Sequence, residues 1–137
     1  MSFDIFVQCF DRGSSSSIER DRVRKLFGSV LVESGPQVWQ LRYDEMNSCD
    51  VSVTADLADS AMIQGFSIHR PCGDKRLWQS LAHVLSLGNL VLYFPGGAPL
   101  IADERVADHL PLAMVESLGK PVLVKYGHEI EQQIRAA

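Results

Sequence analysis

The segment from Gly65 to Gly88, GFSIHRPCGDKRLWQSLAHVLSLG, allows few arrangements: it reads as a strand, a polar turn and an amphipathic helix in immediate succession. Met62, Phe66 and Ile68 share one parity, which in a strand places them on one face. Pro71 has no N–H to give to a ladder and biases Arg70 toward extended backbone, so the strand ends there. Gly73 permits a sharp turn, and Asp74 is suited to accept from the free amides at a helix start. Leu77, Trp78, Leu81, Ala82, Val84 and Leu85 then recur at helical spacing, and Gly88 is placed to follow the C-cap.

The same turn concentrates reactive side chains: His69, Arg70, Cys72, Asp74, Lys75 and Arg76. In a catalytic reading His69 is a base, Cys72 a nucleophile, and the helix N-terminus with Arg76 an anion cradle. In the plainer reading His69 ends a strand, Pro-Cys-Gly turns, Asp74 caps and the basic residues are solvated. Asp74 argues for the second, because its carboxylate already occupies the helix N-terminus that an anion would need.

Upstream, residues 3–10 form a strand with aromatics on both faces, as expected of a central or doubly covered strand. Ser16-Ser17-Ile18-Glu19 has capping-box spacing and predicts a helix to about Phe27. Arg20, Arg22, Arg24 and Lys25 crowd that helix as a solvated face or a small docking patch. Trp39, Leu41 and Tyr43 alternate with Val38, Gln40 and Arg42; Cys49, Val51 and Val53 alternate with polar residues. These runs predict a hairpin, and residues 61–69 add a third meander strand with one polar, solvent-facing side. Asn89–Phe94 reads as a strand buried on both faces. A short helical piece begins at Asp103, a second helix runs from Pro111 to Leu118 and stops at Gly119, Lys120–Lys125 is an edge strand, and a final helix starts at Gly127.

The chain of 137 residues, 46% hydrophobic and 22% charged, supports one domain with a substantial core. The order of elements predicts an α+β fold: a mixed or antiparallel sheet of about six strands with helices mainly on one face. A net charge of −4 and no basic cluster leave nucleic-acid binding unsupported. No apolar run approaches the roughly eighteen residues that span a bilayer, and the N-terminus lacks a basic leader, so neither a membrane partner nor a secretory signal is expected. Cys9, Cys49 and Cys72 form no CxxC pair; buried thiols in a reducing cytoplasm are expected, with no metal or cofactor. Asp103 and Glu104, adjacent on a helix, point apart and do not form an acid–base pair. Pro95-Gly96-Gly97 lacks the lysine and spacing of a phosphate loop.

The opening SFDIFVQCF, the loop HRPCGD with LW following, LYFPGG, and ADERVADHLP together resemble small standalone bacterial proteins for which no catalytic residues are assigned. In size and composition the chain is also similar to immunity proteins of bacterial toxin systems. The absence of a complete catalytic constellation points to a non-catalytic cytoplasmic protein-binding module, and the similarity in class implies an immunity type. Its candidate binding residues are His69, Arg70, Asp74, Arg76, Trp39 and Tyr43. The alternative is a small hydrolase or transferase using His69, Cys72 and Asp74. A homodimer formed through the Trp39–Tyr43 face is a third expectation.

Overall fold

Period-two alternation and helical stripes build a single α+β domain over residues 3–137, the part described by the computed structural model. In chain order the elements are β1 (Asp4–Asp11), β2 (Ser14–Ser15), β3 (Ile18–Glu19), α1 (Arg20–Phe27), β4 (Leu31–Gly35), β5 (Val38–Asp44), β6 (Asn47–Ala55), β7 (Met62–His69), α2 (Lys75–Leu85), β8 (Leu90–Tyr93), β9 (Leu100–Ile101), α3 (Leu112–Leu118), β10 (Val122–Leu123) and α4 (Gly127–Ala136). Single 3-10 turns occupy Gly28–Val30 and Glu104–His109.

The strands form one sheet in the order β10-β9-β8-β1-β7-β6-β5-β4, with β2 paired to β1 and β3 to β7. Every pairing is antiparallel except β9 with β10, so the sheet is mixed. Ten strands replace the expected six. The additional ones are β4 and the two-residue pieces β2, β3 and β9, too short or too polar to show a period. The capping box at 16–19 does not form: Ile18 is buried and pairs with Ile63, while Ser17 donates to Asp56, so α1 begins at Arg20 without a side-chain cap.

One face of the sheet carries the main core. Ile5, Val7, Trp39, Leu41, Val51, Phe66, Ile68 and Leu92 pack there against Leu77, Trp78, Leu81 and Leu85 of α2, Val23 and Phe27 of α1, and Ile130 of α4. Each such side chain contributes about 1.5–3 kcal/mol by leaving water. Trp39 is 1% exposed, which corrects its assignment to a binding or dimer face. Helix α2 ends at Leu85 with Ser86 as C-cap, three residues before Gly88, whose backbone is not in the left-handed region.

A bulge shifts the phase of β7. Thr54 pairs with Gly65 but Ala55 with Ile63, leaving Gln64 as the extra residue. Ile63, fully buried, therefore takes the core position that the parity of Met62 had suggested. Gly65 is fixed by close approach, since a Cβ there would lie 2.1 Å from the carbonyl oxygen of Val7. On the opposite face, Phe10, Val91, Ile101, Val106 and Leu110 form a second, smaller core beneath the 104–109 turn and α3. It covers only the β8–β9 side. Phe10 apart, the outward residues of β1, β7, β6 and β5 lie outside this second core.

Candidate functional site

Two groupings of polar side chains emerge, and the sequence motif around residues 69–76 is divided between them. The first sits at the N-terminus of α2. Asp74 caps the helix by accepting from the amide of Arg76 at 2.8 Å. The Arg76 guanidinium donates to Asp74 (2.8 Å), to Asp44 at the end of β5 (2.6 Å) and to the carbonyl of Tyr43 (3.3 Å), and it lies 5.5 Å from the centre of the Tyr43 ring. Arg76 holds the Asp74 carboxyl down at about 2, with the backbone amide assisting. Burial pushes the Tyr43 hydroxyl up to about 12, although it donates to Ser80. Asp74 and Arg76 of the loop thus meet Tyr43, which the sequence placed on a separate sheet face, and their bonding capacity is spent on joining α2 to the β5–β6 hairpin.

Cys72 faces inward. It packs against the main core and interacts with Cys49, whose thiol is pushed up to about 12, first by burial and then by the neighbouring Cys72. Both thiols are free, as is that of Cys9. Arg70 is exposed, with φ 49°, a left-handed backbone rather than the extended one expected before proline. The three residues of the catalytic alternative each take another partner: His69 has Ser52 and Asp4, Cys72 has Cys49, and Asp74 has Arg76.

His69 belongs to the second grouping, on the open sheet face. Register explains its partners. It lies directly opposite Asp4 on β1 and Asp50 on β6, and diagonally from Ser52. Its Nε2 is 2.7 Å from Ser52 Oγ and its Nδ1 is 3.3 Å from Asp4 Oδ2. Asp50 in turn accepts from Gln40 at 3.4 Å. Beside this cluster a depression of about 180 Å³ is floored by Gly65 and walled by Phe6, Tyr93, Gln8, Gln64 and Ser67. Phe6 and Tyr93 stack with centroids 5.2 Å apart, and the Tyr93 hydroxyl donates to Gln8 at 3.0 Å.

Asp4, Ser52, Phe6 and Tyr93 escaped sequence reasoning as site residues, because only strand pairing, across seventeen positions for Ser52 and sixty-five for Asp4, brings the first two to His69. The one signal was the polar parity of the meander strand that carries Ser52. The basic residues of α1 are partly engaged: Arg20 donates to the carbonyls of Pro36 and Ser60, and Arg24 pairs with Asp21 and Glu33. Asp103 caps the 104–109 turn by accepting from the Arg105 amide.

Among the described residues no cluster of three or more His, Cys, Asp or Glu is arranged to hold a metal ion, and no helix is long and apolar enough to cross a membrane. No family model, curated protein or solved structure matches the chain.

Proposed function

We propose that the chain is a cytoplasmic protein-binding module, of the immunity type, that engages a basic partner protein through the open face of the sheet. The observation that supports this reading is that the outward side chains of β5, β6 and β7 are mostly polar and uncovered, as are Asp4 and Gln8 of β1, whereas Phe10 of β1 and the corresponding side of β8 and β9 lie under the helical cover. A flat polar face of this kind suits a wet, hydrogen-bonded protein interface better than an enclosed small-molecule site.

Charge favours a basic partner. Asp4 and Asp50 flank His69, Glu45 lies at the adjoining hairpin turn beside Asp44, which is paired with Arg76, and Arg42 on this face is held by Gln40 at 2.5 Å. Complementary charge of this sort acts mainly on association rate and on the choice of partner. Met46, 88% exposed at the tip of the same hairpin, supplies an apolar contact at the rim.

The test compares affinity purification of the tagged wild-type chain with the double variant Asp4→Lys, Asp50→Lys, after circular dichroism has shown both folded. The reading expects one stoichiometric basic protein on the wild type, lost from the variant and retained by a control charge reversal at Glu131 of α4. Equal retention by all three chains, or no stoichiometric partner on any, would overturn it.

A further inference from the structure

We propose that Ser52 is a nucleophile that accepts the acyl group of small activated carboxylic esters, with His69 as its base and Asp4 as the residue that orients the imidazole. The inference rests on the side-chain trio and the depression beside it, and holds independently of any protein partner.

The trio brings together the groups that nucleophilic catalysis uses, a hydroxyl bonded to the imidazole and a carboxylate close to its other nitrogen. Ser52 Oγ lies 2.7 Å from His69 Nε2, within reach for proton transfer, and the other ring nitrogen lies 3.3 Å from Asp4. A carboxylate at Nδ1 favours the tautomer that leaves Nε2 free to accept from the serine. Strand pairing holds all three: Asp4, His69 and Ser52 sit on the neighbouring strands β1, β7 and β6, so the geometry does not depend on a loop.

A substrate has somewhere to lie. Ser67 is directly across from Ser52, and it also lines the depression over Gly65. The depression is lined by Ser67 and not by Ser52 or His69 themselves, so an acyl chain against the Phe6–Tyr93 stack must extend past Ser67 to place its carbonyl carbon at Ser52. The Ser67 hydroxyl is available on the same face for the carbonyl oxygen. The small volume, about 180 Å³, selects short acyl groups.

In the acylation step the Ser52 oxygen bonds to the carbonyl carbon while His69 Nε2 takes the hydroxyl proton. The bond from that carbon to the alkoxide or phenoxide then breaks, and the imidazolium returns the proton to the leaving oxygen. Water, activated by the same imidazole, hydrolyses the ester on Ser52 and restores the hydroxyl. The backbone amides around Ser52 are committed to the strand ladders, so no pair of them is free to stabilise the oxyanion. Both acylation and hydrolysis are slowed by that, so the reaction is confined to esters whose leaving group is already good.

Ser48 provides an internal control: it is exposed on the same strand and face, four residues from Ser52, and is not bonded to a histidine. The full-length chain would be treated with p-nitrophenyl acetate and, separately, with a fluorophosphonate probe, and the adducts located by peptide mass spectrometry. The expected result is a single adduct at Ser52, formed at least 100-fold faster than any at Ser48. It should be abolished by Ser52→Ala, slowed at least 10-fold by His69→Asn, and slowed less by Asp4→Asn, with circular dichroism unchanged. Labelling of Ser52 no faster than Ser48 in the folded wild type, or labelling unaffected by His69→Asn, would overturn the proposal.

Discussion

Arg76, in the first turn of α2, donates to Asp44 at the end of β5 at 2.6 Å, across thirty-two residues of sequence. The same guanidinium holds Asp74, so one side chain joins a helix cap to a hairpin turn. The two partners differ in weight. Asp74 is a cap with 13% of its side chain exposed, whereas Arg76 is 54% exposed and water screens its ion pairs. Replacing Asp74 by Ala is expected to cost about 1 kcal/mol. Replacing Arg76 by Ala should cost less, because water screens its ion pairs. Urea unfolding of both variants checks the order, and a larger loss for Arg76→Ala would contradict it.

The cap also makes stability depend on acid. The Asp74 carboxyl is held at about 2 in the folded chain against an ordinary value of 3.8. Because the folded value is the lower, its contribution is complete above about pH 4 and is lost as pH falls toward 2. Asp103, held at about 2 by Arg105, acts in the same window. Thermal melting between pH 5 and 2 should therefore be less steep with pH in Asp74→Asn than in the wild type. Identical slopes would show that the cap does not carry this dependence.

Burial separates two neighbours on β5. Trp39 is 1% exposed and Val38 is 50% exposed. Trp39→Ala is expected to destabilise the chain by about 3–5 kcal/mol through lost transfer energy and a residual cavity. Val38→Ala should fall within about 0.5 kcal/mol. Denaturant midpoints test both, and a neutral Trp39→Ala would return that indole to the surface.

The cysteines should divide in the same way. Cys49 is pushed up to about 12 and only 5% exposed, and Cys9 is also raised, chiefly by burial, and 5% exposed. The thiolate is the reactive form, so both should resist iodoacetamide at pH 8 in the native chain and react once urea is present. Rapid native alkylation of Cys49, read by peptide mass spectrometry, would contradict the packing described.

The local elements were legible because their signals are local. Asp74 as cap, the stripe from Leu77 to Leu85 and the hairpin around Asp44 all follow from residues within a few positions of one another. The face was harder to read. His69 was visible as a candidate, but Asp4 and Ser52 are its neighbours only through strand register, which short-range periodicity does not specify. Trp39 was open on parity alone, since alternation separates two faces without saying which is buried. The bulge at Gln64 explains why Met62 looked like a core residue while Ile63 is one. The edge strand β4 carries a short, mostly exposed pattern and gave no period to detect.

The most direct test of the open face as the working surface is hydroxyl-radical footprinting of the chain alone and bound to its purified partner. The account predicts that Phe6, His69, Tyr93 and Met46 lose reactivity on binding, while Tyr126, exposed ahead of α4, and Leu112 on α3 do not. Protection confined to Tyr126 and Leu112, with His69 and Met46 unchanged, would place the interface elsewhere and contradict it.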